Sequence, residues 1–311
     1  FNLTKVYAAL VSESGQILWN QWISCSNIHP TNNSCEDAEF NEGNDQFAKG
    51  MVKTESGFFV IWTDQRSGSA DIYGQMIDFN GNLLGPEDGV PVSIQANDQQ
   101  SPSISYNAVD GNIVVCWEDF RNGVDFDIFC SEIDEYNLNV NEIELCVVNG
   151  NQKTPYVYST IDGSNLFVWE DSRNGVTSDL FYQVMSIGNM EYIQNGVVLC
   201  DADFNQLNPK IDLYDEITNS YVIFWDDMRS SGKEDLRNIY LQSVTILPSE
   251  CVVLDVNNDG VVNVIDVVLT VNIVLGSVIP DEWQQCSADP NGDGVINVID
   301  IVTLVSYIIS S

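Results

Sequence analysis

Two twelve-residue segments carry side-chain oxygens at every second position: DVNNDGVVNVID from Asp255 and DPNGDGVINVID from Asp289. Calcium takes about six to eight oxygen ligands, and a loop of this length supplies them from positions 1, 3, 5, 7, 9 and 12, with glycine at 6 for the sharp turn. In the first segment those positions are Asp255, Asn257, Asp259, the Val261 carbonyl, Asn263 and Asp266, with Gly260 at the turn. In the second they are Asp289, Asn291, Asp293, the Val295 carbonyl, Asn297 and Asp300, with Gly294 at the turn. Position 12 is Asp in both, where the helix–loop–helix calcium motif usually has Glu. Acidic surface turns have no reason to repeat a ligand pattern in this way, so the spacing predicts two bound calcium ions.

Each loop runs into a short, strongly apolar stretch, VVLTVNIVLGSVI and IVTLVSYIISS, and neither loop has a helix of its own in front of it. The duplicated loop-then-helix layout resembles a type I dockerin over residues 249–311. The resemblance implies a calcium-folded module that binds a cohesin-like domain, with loop positions 10 and 11 helping to select the partner. Those positions are Val264 and Ile265 in one copy and Val298 and Ile299 in the other, an identical pair. The two stretches are apolar nearly all round, which predicts cover on both sides, and they are too short to span a bilayer. ILPSECVVL joins the module to what precedes it without a Pro/Ser/Thr-rich tether, so a rigid two-domain unit is expected.

Residues 1–248 must then form a separate body, and they repeat. IWTDQRSGSADIY from Ile61, CWEDFRNGVDFDIF from Cys116, VWEDSRNGVTSDLF from Val168 and FWDDMRSSGKEDLRNIY from Phe224 share Trp-x-Asp-x-Arg, a polar turn, and an apolar–aromatic pair. The tryptophans stand at 62, 117, 169 and 225, intervals of 55, 52 and 56. Short runs such as GFFVIW and DIYGQMID flank each motif and are bounded by Gly, Asn, Asp and Ser, the signature of strands and turns. Three or four strands per unit resemble a β-propeller blade. Four full units and an N-terminal half unit (KVYAALVSESGQILWNQWISC) fit four blades, or five with one incomplete. The N-terminal strand is expected to complete the last blade and remove a sheet edge. The fold class expected is therefore mainly β, a propeller followed by a small α-helical calcium module.

The motif residues Trp62, Asp64, Arg66, Trp117, Asp119, Arg121, Trp169, Asp171, Arg173, Trp225, Asp227 and Arg229 recur in every unit, which marks architecture; catalysis needs a unique constellation. Each arginine is expected to pair with the aspartate of its motif, and each tryptophan to fill the wedge between blades. The single histidine, His29, lies in the turn-rich SNIHPTNNS, so His-dependent nucleophilic catalysis lacks its base. Paired carboxylates, as in glycoside hydrolysis, are the only catalytic chemistry available, and no Asp or Glu stands apart from the repeat.

With 46 acidic residues against 11 basic ones, a net charge of −35, nucleic acid and anionic lipid are poor partners. No run of 18 apolar residues occurs. The eight cysteines contain no CxxC, which argues against a zinc site and for disulfides in an oxidising compartment. The pairings expected are Cys25–Cys35, Cys116–Cys130, Cys251–Cys286 and, as the remainder, Cys146–Cys200. A chain that starts at Phe1 without Met is expected to be a processed, secreted prokaryotic protein, extracellular or at the cell surface. The sequence thus predicts a non-enzymatic structural or adhesion subunit. It would dock through calcium onto a cohesin-like domain or onto the next copy of itself, as a filament or surface array. The alternative is a carbohydrate-binding or glycoside hydrolase component of a cohesin–dockerin complex, acting on polysaccharide.

Overall fold

The computed structural model describes residues 5–24, 45–86, 88–185, 195–216, 218–229, 237–246, 254–257, 261–280, 282–291 and 294–310. His29, Cys25, Cys35, Cys251, Asp259, Gly260 and Asp293 lie outside them. The chain forms two compact units, Phe1–Val244 and Thr245–Ser311.

The first unit is all β. A hairpin of β1 (Tyr7–Val11) and β2 (Ile17–Trp22) comes first. Next, β3 (Gln46–Lys53), β4 (Gly57–Asp64) and β5 (Asp71–Asp78) form a meander, with β6 (Leu83–Leu84) and β7 (Val90–Ser93) both along β5. Two four-stranded meanders follow: β8 (Gln99–Asn107), β9 (Asn112–Asp119), β10 (Asp127–Asp134) and β11 (Val140–Cys146), then β12 (Gln152–Ser159), β13 (Asn165–Asp171), β14 (Asp179–Met185) and β15 (Val197–Cys200). A three-stranded sheet of β16 (Gln206–Asp215), β17 (Ser220–Asp227) and β18 (Asn238–Thr245) comes last. The first strands β3, β8, β12 and β16 neighbour one another in that order. Successive antiparallel sheets arranged around adjoining first strands make the propeller-like architecture that the repeat predicts.

The N-terminal hairpin departs from expectation. It forms its own sheet and packs Val6, Trp19 and Ile23 against Val60, Trp62 and Ile77 of the first full sheet. The reason is positional: VYAALV of β1 occupies the repeat slot of IYGQMI and IYLQSV. In the last sheet β18 already fills that slot, so β1 begins a sheet and does not complete one.

Apolar side chains between sheets form the core. Phe59, Ile61 and Ile72 meet Ile113, Val115 and Trp117, and Val114, Cys116 and Ile128 meet Phe167 and Trp169. Two glycines fit this packing closely. A Cβ on Gly89 (φ +86°) would stand 2.4 Å from the Trp62 ring, and one on Gly196 (φ +69°) 2.2 Å from the Trp169 ring.

A second repeated device was missed from the sequence. An Asp/Asn-Gln dipeptide recurs at 45, 98, 151 and 205, once per repeat at intervals of 53, 53 and 54. Its glutamines Gln46, Gln99, Gln152 and Gln206 are all buried. The N–H groups of Gln99, Gln152 and Gln206 donate to the carbonyls of Ala70, Phe126 and Ser178 on the preceding sheet. In return the Ala70, Phe126 and Ser178 N–H groups donate to the side chains of Asp98, Asn151 and Asn205. These three dipeptides thereby clip one sheet to the next and satisfy backbone groups that the meander leaves over.

The second unit holds α1 (Val264–Val274), α2 (Glu282–Ser287) and α3 (Val298–Ser310), with Val256, Ile273 and Ala288 buried among Leu269, Val278 and Ile296. The cover predicted on both sides of the helices is only partial. Val264, Ile265 and Val268 on α1, and Val298, Ile299 and Val302 on α3, are each more than half exposed.

Cys116 and Cys130 face each other in register across β9 and β10 and form a disulfide. Cys286 is also disulfide-bonded, while its expected partner Cys251 and the Cys25–Cys35 pair lie outside the described residues. The expected Cys146–Cys200 bond is not formed; both are free thiols. They close β11 and β15, the same slot on successive sheets, so each meets the following sheet's arginine instead of the other cysteine. Cys146 Sγ lies 3.3 Å from Arg173 Nη2, and Cys200 Sγ 3.0 Å from Arg229 Nη2. Burial, with the charge of Asp171, pushes the Cys146 thiol up to about 12, so it stays protonated and inert.

Candidate functional sites

In each repeat motif the aspartate is fully buried at the end of the second strand and collects the other members around it. Asp171 accepts from the Trp169 indole at 3.0 Å, the Arg173 backbone N–H at 2.9 Å, and Arg173 Nε and Nη2 at 2.9 and 2.6 Å. Asp64, Asp119 and Asp227 hold Trp62 and Arg66, Trp117 and Arg121, and Trp225 and Arg229 in the same way. Each guanidinium also lies over an aromatic ring of the third strand, Tyr73, Phe129, Phe181 or Tyr240, 3.7–4.3 Å from the centroid. The aspartates and the guanidinium Nη2 groups are thus engaged within the protein, and the Nε of Arg173 and Arg229 as well, while the Nε of Arg66 and Arg121 is buried without a partner. For Asp64 and Asp227, burial pushes the carboxyl up, but the hydrogen bonds from arginine and tryptophan outweigh it and the net shift is down. Their contribution to stability is therefore present above the ordinary carboxylate range and is lost in strong acid.

Asp127, at the start of β10, has the opposite balance. Burial first, then the charges of Asp125 and Asp119, push it up to about 6. An ionised Asp127 therefore opposes folding above that pH, and the penalty fades as pH falls toward the unfolded value near 3.9. Asp127→Asn is expected to raise Tm by about 2–4 °C at pH 8 and to give no gain at pH 4. A loss of Tm at both pH values in calorimetry would show that the Asn122 hydrogen bond to Asp127 matters more than the buried charge.

The propeller's open site lies along its first strands. Each carries a bulge, between Ala48 and Gly50, Gln100 and Ser103, Lys153 and Tyr156, and Leu207 and Lys210. The bulges turn Ser101, Thr154 and Asn208 into the left-handed region, at φ 52°, 47° and 56°. That region is costly for a β-branched residue such as Thr154 and persists only when neighbours enforce it. Glu118 enforces it, accepting the Thr154 N–H at 2.9 Å from the adjacent sheet, and Glu170 does the same for Asn208 at 2.7 Å. Against these bulges lies a cavity of about 360 Å³ whose lining includes Lys49, Lys210, Ser101, Thr154, Tyr156 and Ile104. Behind it, burial and then, among charges, Glu118 push the Glu170 carboxyl up, against the Asn208 hydrogen bond and the Lys153 charge. None of these residues stood out in sequence. They lie about one repeat apart, and only the Gln-x-x-Pro at 99, 152 and 206 marked where the bulges fall.

In the second unit, both predicted calcium loops fold alike over the described residues. Asp255, Asp266, Asp289 and Asp300 are buried. Asp266 accepts the Asn257 and Asn263 N–H groups, and Asp300 accepts that of Asn297. Asn263 caps α1 by accepting the Ile265 N–H, and Asn297 accepts from Ile299. The amides of Asn263 and Asn297 donate to the Val261 and Val295 carbonyls at 2.9 and 2.8 Å. Position 9 thus shapes the loop and has no lone carbonyl oxygen pointed at an ion, in keeping with the water-mediated ligation common there. The donor set fits a cation: Asp300 is fully buried and its Oδ1 has no hydrogen-bond partner, a costly state for a carboxylate unless a positive charge stands beside it. Asn291 is described but Asp259 and Asp293 are not, so the ligand sets are seen in part.

Residues 253–309 match the family model of the dockerin type I domain, and the chain therefore ends in a type I dockerin-like module after a propeller-like repeat domain. Type I dockerins bind calcium and dock onto cohesin domains, functions exercised outside the cell, and among the described residues no helix is long and apolar enough to cross a membrane. No curated protein matches the chain. Among solved structures, it is similar to an endo-arabinase from Bacteroides thetaiotaomicron (13% identity, 63% of this chain and 74% of that one, TM-score 0.41). It is also similar to a thermostable family-43 glycoside hydrolase (9%, 68% and 76%, TM-score 0.44) and to a protein of unknown function from Dyadobacter fermentans (12%, 79% and 68%, TM-score 0.49). The non-enzymatic reading of the sequence is corrected by this set, whose members include glycoside hydrolases.

Proposed function

We propose that this chain is an extracellular, carbohydrate-directed component of a prokaryotic cohesin–dockerin assembly. The C-terminal module, residues 249–311, docks it in a calcium-dependent manner, and the propeller, residues 1–248, meets the glycan. The observation that carries the docking half is the duplicated surface of the module. Val264 and Ile265 are 66% and 55% exposed, and Val298 and Ile299 62% and 60%, each pair opening a helix that follows a calcium loop. Exposed apolar pairs held on capped helix starts suit a protein partner, and two ions, one per loop, would hold both in place. Self-assembly into a homopolymer has no observation in its favour.

The glycan half rests on the bulge-lined cavity, a concave site lined by an aromatic ring and hydroxyls. Glu118 and Glu170 hold the bulges through the Thr154 and Asn208 N–H groups and do not line the cavity, so the site supports sugar recognition and assigns no general acid. The test is pull-down of the full chain by an immobilised cohesin panel, with calcium and with chelator. Val264→Asp together with Val298→Asp is expected to abolish capture, and either alone to leave most of it. Capture unaffected by the double variant would remove these pairs from the docking surface.

A further inference from the structure

In a chain of net charge −35, the cavity at the propeller's first strands has cationic walls. Only six lysines occur, and two of them, Lys49 and Lys210, line it. Among the described residues neither forms a salt bridge, whereas all five arginines do. Among those residues Lys53 and Lys153 form no salt bridge either, so placement carries the point: two ammonium groups share one cavity whose lining holds no carboxylate, with Glu170 acting on Lys210 only from outside that lining. The Lys210 Nζ lies over the Tyr156 ring, 4.5 Å from its centroid, which fixes a positive charge beside an apolar face. Ser103 Oγ accepts the Val157 N–H and keeps its own hydrogen to donate.

We infer that the cavity binds a negatively charged sugar residue, its acidic group between Lys49 and Lys210 and its ring beside Tyr156. The inference rests on the carbohydrate-directed reading and narrows it. The 46 acidic residues elsewhere repel a polyanion along its length, so the site would take a short acidic oligosaccharide or one residue of a mixed polymer. A uronate and a sulfated sugar present the same chemistry to two ammonium groups, and the choice between them falls to experiment.

The experiment is calorimetric titration of the full chain, with calcium present, using trigalacturonate, a chondroitin-sulfate oligosaccharide, and the neutral trisaccharides of arabinan and xylan. Binding of an acidic ligand that weakens about tenfold or more in Lys49→Gln and in Lys210→Gln, but not in Lys53→Gln on the exposed part of β3, supports the inference. The carboxylated or sulfated ligand that binds identifies the acidic group. Equal Tm values for the variants and the parent would exclude misfolding, and Lys210→Arg should recover most of the affinity. Binding of neutral sugars alone, unchanged in the lysine variants, overturns the inference and leaves the carbohydrate reading intact. Binding of no sugar at all overturns both.

Discussion

Removing calcium with excess chelator should unfold the C-terminal module while the propeller stays folded. The module buries four loop carboxylates, Asp255, Asp266, Asp289 and Asp300, and has only a small apolar centre around Val256, Ile273 and Ala288. Without cations the buried charges repel one another and Asp300 Oδ1 has nothing to bind, so the loops cannot hold the helix starts. An ion present at a thousand times its dissociation constant stabilises by about 4 kcal/mol, comparable with the whole stability of so small a fold. Hydrogen exchange on the full chain reads the two units separately. Protection of 264–274 and 298–310 is expected to fall by about a hundredfold or more on chelation, with β4, β9 and β13 unchanged. Equal protection with and without calcium would mean that the loops are only acidic turns. Asp300→Ala should reproduce most of the loss even in saturating calcium.

The second large effect belongs to the repeat motif. Asp171→Ala removes the acceptor for the Trp169 indole, the Arg173 N–H and two guanidinium nitrogens at once. It leaves a fully buried tryptophan N–H unsatisfied and a cation with the Asn195 carbonyl, the Cys146 sulfur and the Phe181 ring but no anion. Breaking one side of a buried pair costs about 3–5 kcal/mol. The exposed Arg237–Asp226 pair, at 3.2 Å, is the internal control, and Asp226→Ala should cost no more than about 1 kcal/mol. Urea unfolding midpoints give both values. A loss below about 1 kcal/mol for Asp171→Ala would show that the motif is ornament and that the tryptophan packing alone holds the sheets.

What the sequence showed follows from how local each feature is. The calcium loops place all their ligands within twelve residues, and Trp-x-Asp-x-Arg spans five, so both are visible as strings. The Cys116–Cys130 bond was legible because its partners lie on consecutive strands. Cys146 and Cys200 were paired by elimination, which ignores that two residues in the same slot of neighbouring sheets point the same way and cannot meet. The buried glutamines are as regular as the tryptophans, but glutamine is ordinarily a surface residue and drew no attention. The cavity needs Lys49, Tyr156 and Lys210 from three separate strands, and no local pattern joins them. The N-terminal hairpin was misplaced because the half repeat was matched to the last unit by what that unit lacked, not by the slot its strands occupy.

The carboxylates that secure the bulges all point one way along the chain: Glu118 reaches forward to Thr154, and Glu170 forward to Asn208. The second and third full sheets are thus templates for the strained turns of their successors. Such an array behaves as a chain of linked units, in which a defect acts first on the sheets it touches. Losing Glu118 would free the Thr154 turn of the third full sheet, and losing Glu170 the Asn208 turn of the last one, two residues from Lys210 at the rim of the cavity.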